Sequence, residues 1–182
     1  MKNTPATSIE FWCVDTTVVI LKRMADEGIF SSVPGSHIKR VHSKSIIPRY
    51  SRRPSLTNSA LAGERSLDLP GFVVTYLGHK RPVSAGENCS DDGKIDILIQ
   101  LVDEGDDSDY RNASAYLNWI SEARTRLQDS GLENCPKSIG QVYHTHVTDH
   151  TNADETDWAM EEQMRMALRL HCFTRTHRKR SL

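Results

Sequence analysis

Three imidazoles crowd one short stretch, His144, His146 and His150 in "QVYHTHVTDHT". Residues two apart on a β-strand project from the same face, so His-x-His can offer two ligands to one metal ion. Asp149, His150, His171 or Cys172 could complete a zinc shell around His144 and His146. A half-exposed strand beside a loop gives the same pattern with no metal. That plainer reading is the expectation, with His144, His146, Val142 and Thr148 on one face and Tyr143, Thr145 and Val147 on the other.

Other chemistry finds less footing. There is no Gly-rich phosphate loop, no G-x-S-x-G, no H-E-x-x-H and no EF-hand spacing. "DEGDDSD" lacks the spaced ligands of a calcium loop and suits a helix N-terminus. A nucleophilic Cys or Ser needs a base placed by the fold, and four cysteines with eight histidines allow too many pairings to single one out. No catalytic residue, metal or cofactor is expected.

The elements that would position these groups follow from periodicity. A helix is expected from about Ser8 to Asp26, with Phe11, Trp12, Val18, Val19, Leu21 and Met24 as its stripe and Gly28 beyond its end. "SHIKRVHSKSII" reads as a basic strand ending at Pro48, and residues 48–69 as a long irregular loop. "GFVVTYLGH" and "KIDILIQLVDE" read as an antiparallel pair, with Phe72, Val74 and Tyr76 on one face and Ile95, Ile97, Ile99 and Leu101 lining another. Residues 109–129 form the best helix, with Ala113, Tyr116, Leu117, Ile120, Ala123 and Leu127 at helical spacing. Strands follow at about Ile139–Thr148 and from about Met164, where strict alternation outweighs a helical reading, with a helical turn around Trp158. The expected fold is a single α+β domain over residues 1–182. It has a mainly antiparallel sheet, two helices packed against it, the order α-β-loop-β-β-α-β-β, and a basic tail at 176–182.

Bulk composition fits this. The 182 residues are 37% apolar and 26% charged, with a net charge of −1, which favours neither a nucleic-acid nor a membrane partner globally. No stretch approaches the ~20 apolar residues of a membrane span. Cys13, Cys89, Cys135 and Cys172 are scattered with no C-x-x-C pair and are expected to be reduced thiols in a cytosolic protein. Charge is unevenly spread. Lys39, Arg40, Lys44, Arg49, Arg52 and Arg53 lie in a stretch free of acids, Asp91–Asp109 is strongly acidic, and only bases follow Glu162. Either these are solvated faces, or they are complementary surfaces that meet within one chain or between copies.

"LPGFVVTYLG" and "DDGKIDILIQLVDEGDDSDYRNASAYLNWISEARTRL" together resemble tail terminator (tail-completion, or neck) proteins of long-tailed bacteriophages. The likeness lies in the Pro70-Gly71-led strand, a polar hairpin tip, and a strand ending in the acidic turn Val102-Asp103-Glu104. A helix with aromatic Tyr110, Tyr116 and Trp119 follows, then a late strand ending in Arg, covering about two-thirds of the chain. The resemblance implies a structural virion protein, not an enzyme. It would form a homo-oligomeric ring of six copies that caps the tail tube and ends its polymerisation. It would bind the tail tube protein and the head-completion or connector proteins, assembling in the host cytoplasm and residing in the virion. A head–tail connector or stopper ring is the near alternative. A metal-dependent enzyme using His144 and His146, and a DNA-binding module using Arg178, Lys179 and Arg180, belong to other classes. Expected interface residues are Asp103, Glu104, Asp106 and Asp107, or else the loop at 81–92, against either Lys39, Arg40, Arg52 and Arg53 or Arg178 and Arg180 of the tail, with transient contact to DNA in the channel and none to membrane.

Overall fold

The computed structural model describes residues 8–30, 33–41, 70–80, 90–104, 110–128, 132, 135–149 and 163–177. Helix α1 spans Ile9–Asp26 and begins where Ser8 Oγ accepts from the Phe11 amide. A 3₁₀ turn at Gly35–His37 leads into β1, Ile38–Val41. Then come β2 (Gly71–Lys80), β3 (Ser90–Glu104), α2 (Tyr110–Leu127), β4 (Gln141–Asp149) and β5 (Gln163–His177). The strands form one sheet in the order β1-β2-β3-β5-β4, antiparallel throughout except for the parallel β1–β2 pair. The α+β class and element order agree with expectation.

Alternation in β3 and β5 builds the core. Ile95, Ile97, Ile99 and Leu101 face α1 and α2 together with Leu168, Leu170 and Cys172, all essentially inaccessible to solvent. Phe72 and Val74 extend this layer, and Phe30 bridges it to α2, with ring centroids 4.8 Å from Phe72 and 6.3 Å from Trp119. Both helices therefore lie against one face, called here the covered face.

The helix stripes agree with expectation at Leu21, Met24, Tyr116, Ile120, Ala123 and Leu127 and differ at Phe11, Val19 and Leu117. On α1 the buried positions are Ile9, Cys13, Val14, Thr17, Leu21 and Met24, whereas Phe11 and Val19 are exposed. Thr17 can be buried because its hydroxyl donates to Cys13 O, 2.8 Å away, and Phe11 is shielded by the Arg40 guanidinium stacked over its ring. On α2, Trp119 takes the buried place expected of Leu117, because its larger ring fills the space beside Phe30 and Tyr116. β5 runs through His177, so Thr176 and His177, expected in the basic tail, belong to the strand. The loop at 48–69, the turn at Trp158 and most of the basic strand beyond Val41 lie outside the described residues.

Candidate functional site

The histidine stretch is an edge strand, because β5 inserts between β3 and β4. A bulge between Val142 and His144 shifts its alternation by one residue. Val142, Thr145 and Val147 therefore turn to the covered face. His144, His146 and Thr148 pair with the odd-numbered residues of β5, whose side chains line the opposite face. The expectation that Val142 shares a face with the histidines, and Tyr143 with Thr145, is thus corrected. The strand is pinned to the end of α2. Thr145 Oγ1 donates to Leu127 O at 3.0 Å, and the Val147 amide donates to Gln128 Oε1 at 3.1 Å.

The second face carries a polar chain across three adjacent strands. His171 of β5 is directly opposite Asp96 of β3, and its Nδ1–H donates to Asp96 Oδ1 at 2.6 Å. That leaves Nε2 to accept from the Thr148 hydroxyl of β4, 3.1 Å away. Lys94 Nζ lies 3.5 Å from the same Asp96 oxygen. Burial alone would raise the Asp96 carboxyl, but the His171 hydrogen bond and the Lys94 charge outweigh it and hold it below the usual carboxylate range. A carboxylate that fixes an imidazole's tautomer against a hydroxyl is the arrangement of a nucleophile–base–carboxylate relay. Here it also anchors the strands to one another.

Whether the imidazoles converge on a metal can be read from the same geometry. His146 stacks on His171, with centroids 6.2 Å apart and planes 18° apart, and Gln128 Nε2 approaches His146 Nδ1 at 3.5 Å. His144 packs instead on Phe173, 5.5 Å away. Cys172 turns to the covered face and hydrogen-bonds with Cys13 of α1, a contact that together with burial drives the Cys13 thiol pKa strongly upward. No set of three His, Cys, Asp or Glu side chains with metal-binding spacing occurs among the described residues.

A second carboxylate–imidazole pair went unnoticed in the sequence. A bulge between Tyr76 and Gly78 swings His79 to the covered face, where its Nδ1 lies 2.7 Å from Glu10 Oε1 of α1. The His79 ring sits directly over Gly93, where a Cβ would collide with its Nε2. Burial pushes the Glu10 carboxyl up, yet its backbone hydrogen bond and those from His79 and Ser8 bring it below the usual range. The only sequence signal for this pair is the glycines at 78 and 93, which mark a bulge and a close approach.

The expected interface residues separate. Arg40 is committed within the chain, ion-paired with Asp15 and stacked on Phe11, while Lys39 is exposed on β1. Asp103 and Glu104 close β3, opposite Met164 and Gln163 of β5. Asp106, Asp107, Arg52, Arg53, Arg178 and Arg180 lie outside the described residues. No helix among the described residues is long and apolar enough to cross a membrane. Compared with known proteins, the chain matches no family model and no curated protein.

Proposed function

We propose that this chain is a structural subunit of a phage tail or neck. In this reading it assembles with copies of itself into a ring that caps the tail tube and joins it to the connector proteins. The element order and the Pro70-Gly71-led hairpin support the resemblance on which this reading rests. One observation carries it further. β3 and β5 pair over fifteen residues, with Ser90 opposite His177 at one end and Glu104 opposite Gln163 at the other. A ribbon of that length spans about 46 Å. Arg178 and Arg180 follow His177 within three residues, and Asp106 and Asp107 follow Glu104 within three, a reach of about 10 Å on each side. Glu104 and His177, from which the acidic and basic stretches continue in sequence, therefore close opposite ends of the ribbon. Acids continue the sequence at one end of the ribbon and bases at the other, where Asp91 and Asp92 lie opposite Thr176 and Arg175; this suits a heterologous contact in which each copy presents one end to its neighbour.

The test is co-expression with the tail tube protein of the virion that this reading requires, followed by electron microscopy and native mass spectrometry. The expected result is a six-fold ring on one end of the tube. Asp106→Asn/Asp107→Asn should weaken assembly and flatten its dependence on salt. A chain that neither forms rings nor binds the tube sinks the reading. A ring that binds only the connector side reassigns it to the stopper.

A further inference from the structure

The second face of the sheet carries a row of cations and rings in fixed register. Lys80 of β2 pairs with Lys94 of β3, Lys94 with Phe173 of β5, and Phe173 with His144 of β4. Three inter-strand steps make this row about 14 Å long. The next row along the strands holds Asp96, His171 and His146. On the other side, Arg175 is forked onto Asp92 and reaches over the Tyr143 ring, 5.7 Å from its centroid.

Two features of this row work against stability alone. Like charges directly opposite one another destabilise a sheet, and Lys80 and Lys94 are such a pair. The bulge at Tyr143 leaves its ring 49% exposed, leaning on Phe173 at 6.4 Å, where an edge strand would ordinarily carry a polar residue. Toward β2 the same face is buried at Val73, Thr75 and Leu98, so the accessible rings concentrate on β4 and β5. Lys80 is exposed, and Lys94 and Arg175, which rest on Asp96 and Asp92, can exchange these weak surface ion pairs for phosphate. Beside the exposed rings they form the combination that holds unpaired nucleotides on a sheet.

We propose that this row is a binding surface for single-stranded nucleic acid. Lys80, Lys94 and Arg175 meet phosphates, and Tyr143 and His144 offer ring faces to bases. Duplex DNA keeps its bases in the stack and would meet only the cations. The inference does not depend on ring assembly, since the row lies within one subunit.

The test is fluorescence anisotropy of the full chain with a labelled oligothymidine and with a duplex of equal length, over a salt series. Single-strand binding should weaken as salt rises and exceed duplex binding. Tyr143→Ala should weaken it about tenfold. Lys80→Glu, at an exposed position, should do the same while thermal stability holds or rises, because an opposite-charge pair replaces the like-charged one, and Lys94→Glu should add to the loss of binding. The proposal is overturned by equal affinity for duplex and single strand, or by absence of binding at low salt. It is overturned equally by binding that survives these substitutions but disappears when residues 178–182 are removed. Rings without nucleic-acid binding would leave the assembly reading intact, and the converse outcome would leave this one.

Discussion

Two carboxylate–imidazole pairs sit on opposite faces of one sheet and are built differently. Glu10–His79 joins a helix to a strand, roofed by α1 and floored by Gly93. Asp96–His171 joins two neighbouring strands and continues into Lys94 and Thr148. The first needs a bulge to turn His79 inward and a missing side chain to make room for its ring. The second needs only register, because cross-strand neighbours meet on any regular sheet. The covered pair is thus a clamp between layers that tolerates little change of shape. The other is a ladder that can lose a rung.

The largest expected effect tests that contrast through shape. Gly93→Ala should displace His79, break its contact with Glu10 and cost about 1–3 kcal/mol, the usual penalty for overfilling a packed site. For a chain of this size that lowers the melting temperature by roughly 2–12 °C. A loss below about 0.5 kcal/mol would mean that the ring moves aside freely, and the clamp would not exist.

Removing charge should matter less. Glu10→Gln is expected to cost about 1–2 kcal/mol and Asp96→Asn about 1 kcal/mol, because both carboxylates keep some contact with water. Their pH signature has a definite sign. Each carboxyl titrates lower in the folded than in the unfolded chain. Below about pH 4 the unfolded state therefore binds more protons. The stability they contribute is complete above that pH and is lost as the solution is acidified through the folded values. Acid unfolding followed by circular dichroism should be shallower below about pH 4 in either variant. An unchanged acid limb in both would show that neither pair is formed.

What the sequence revealed and what it hid follow the same line. β3 could be read because Ile95, Ile97, Ile99 and Leu101 keep strict period two, and β5 because Leu168, Leu170 and Cys172 do the same. The bulges at Tyr76/Gly78 and Val142/His144 could not be read, since one extra residue reverses every later side chain and leaves no mark on composition. His79 therefore reads as the end of a regular strand with no bulge to turn it inward, and Val142 falls on the wrong face. On α1 the spacing places Leu21 and Met24 correctly but not Phe11 and Val19, which are apolar yet exposed, nor the buried Thr17, which satisfies its own hydroxyl. The parallel placement of β1 was equally hidden, because it depends on where the chain between Val41 and Gly71 leads.

The smallest stability effect is expected where the chain looked most like a metal site. His144 and His146 are both exposed, on an edge strand whose backbone is secured by Thr145, Val147 and Gln128 rather than by imidazoles. Neither histidine supports the relay directly, since His171 Nδ1 is held by Asp96 and its Nε2 by Thr148. The double variant His144→Ala/His146→Ala should therefore unfold within about 0.5 kcal/mol of the parent. Elemental analysis of both proteins should find no stoichiometric zinc, and single-strand affinity should fall modestly as the His144 ring is lost. Zinc at one equivalent in the parent, with a chelator-dependent drop in its melting temperature that vanishes in the variant, would reverse that conclusion. It would turn the outer face of β4 from a nucleic-acid surface into a metal centre.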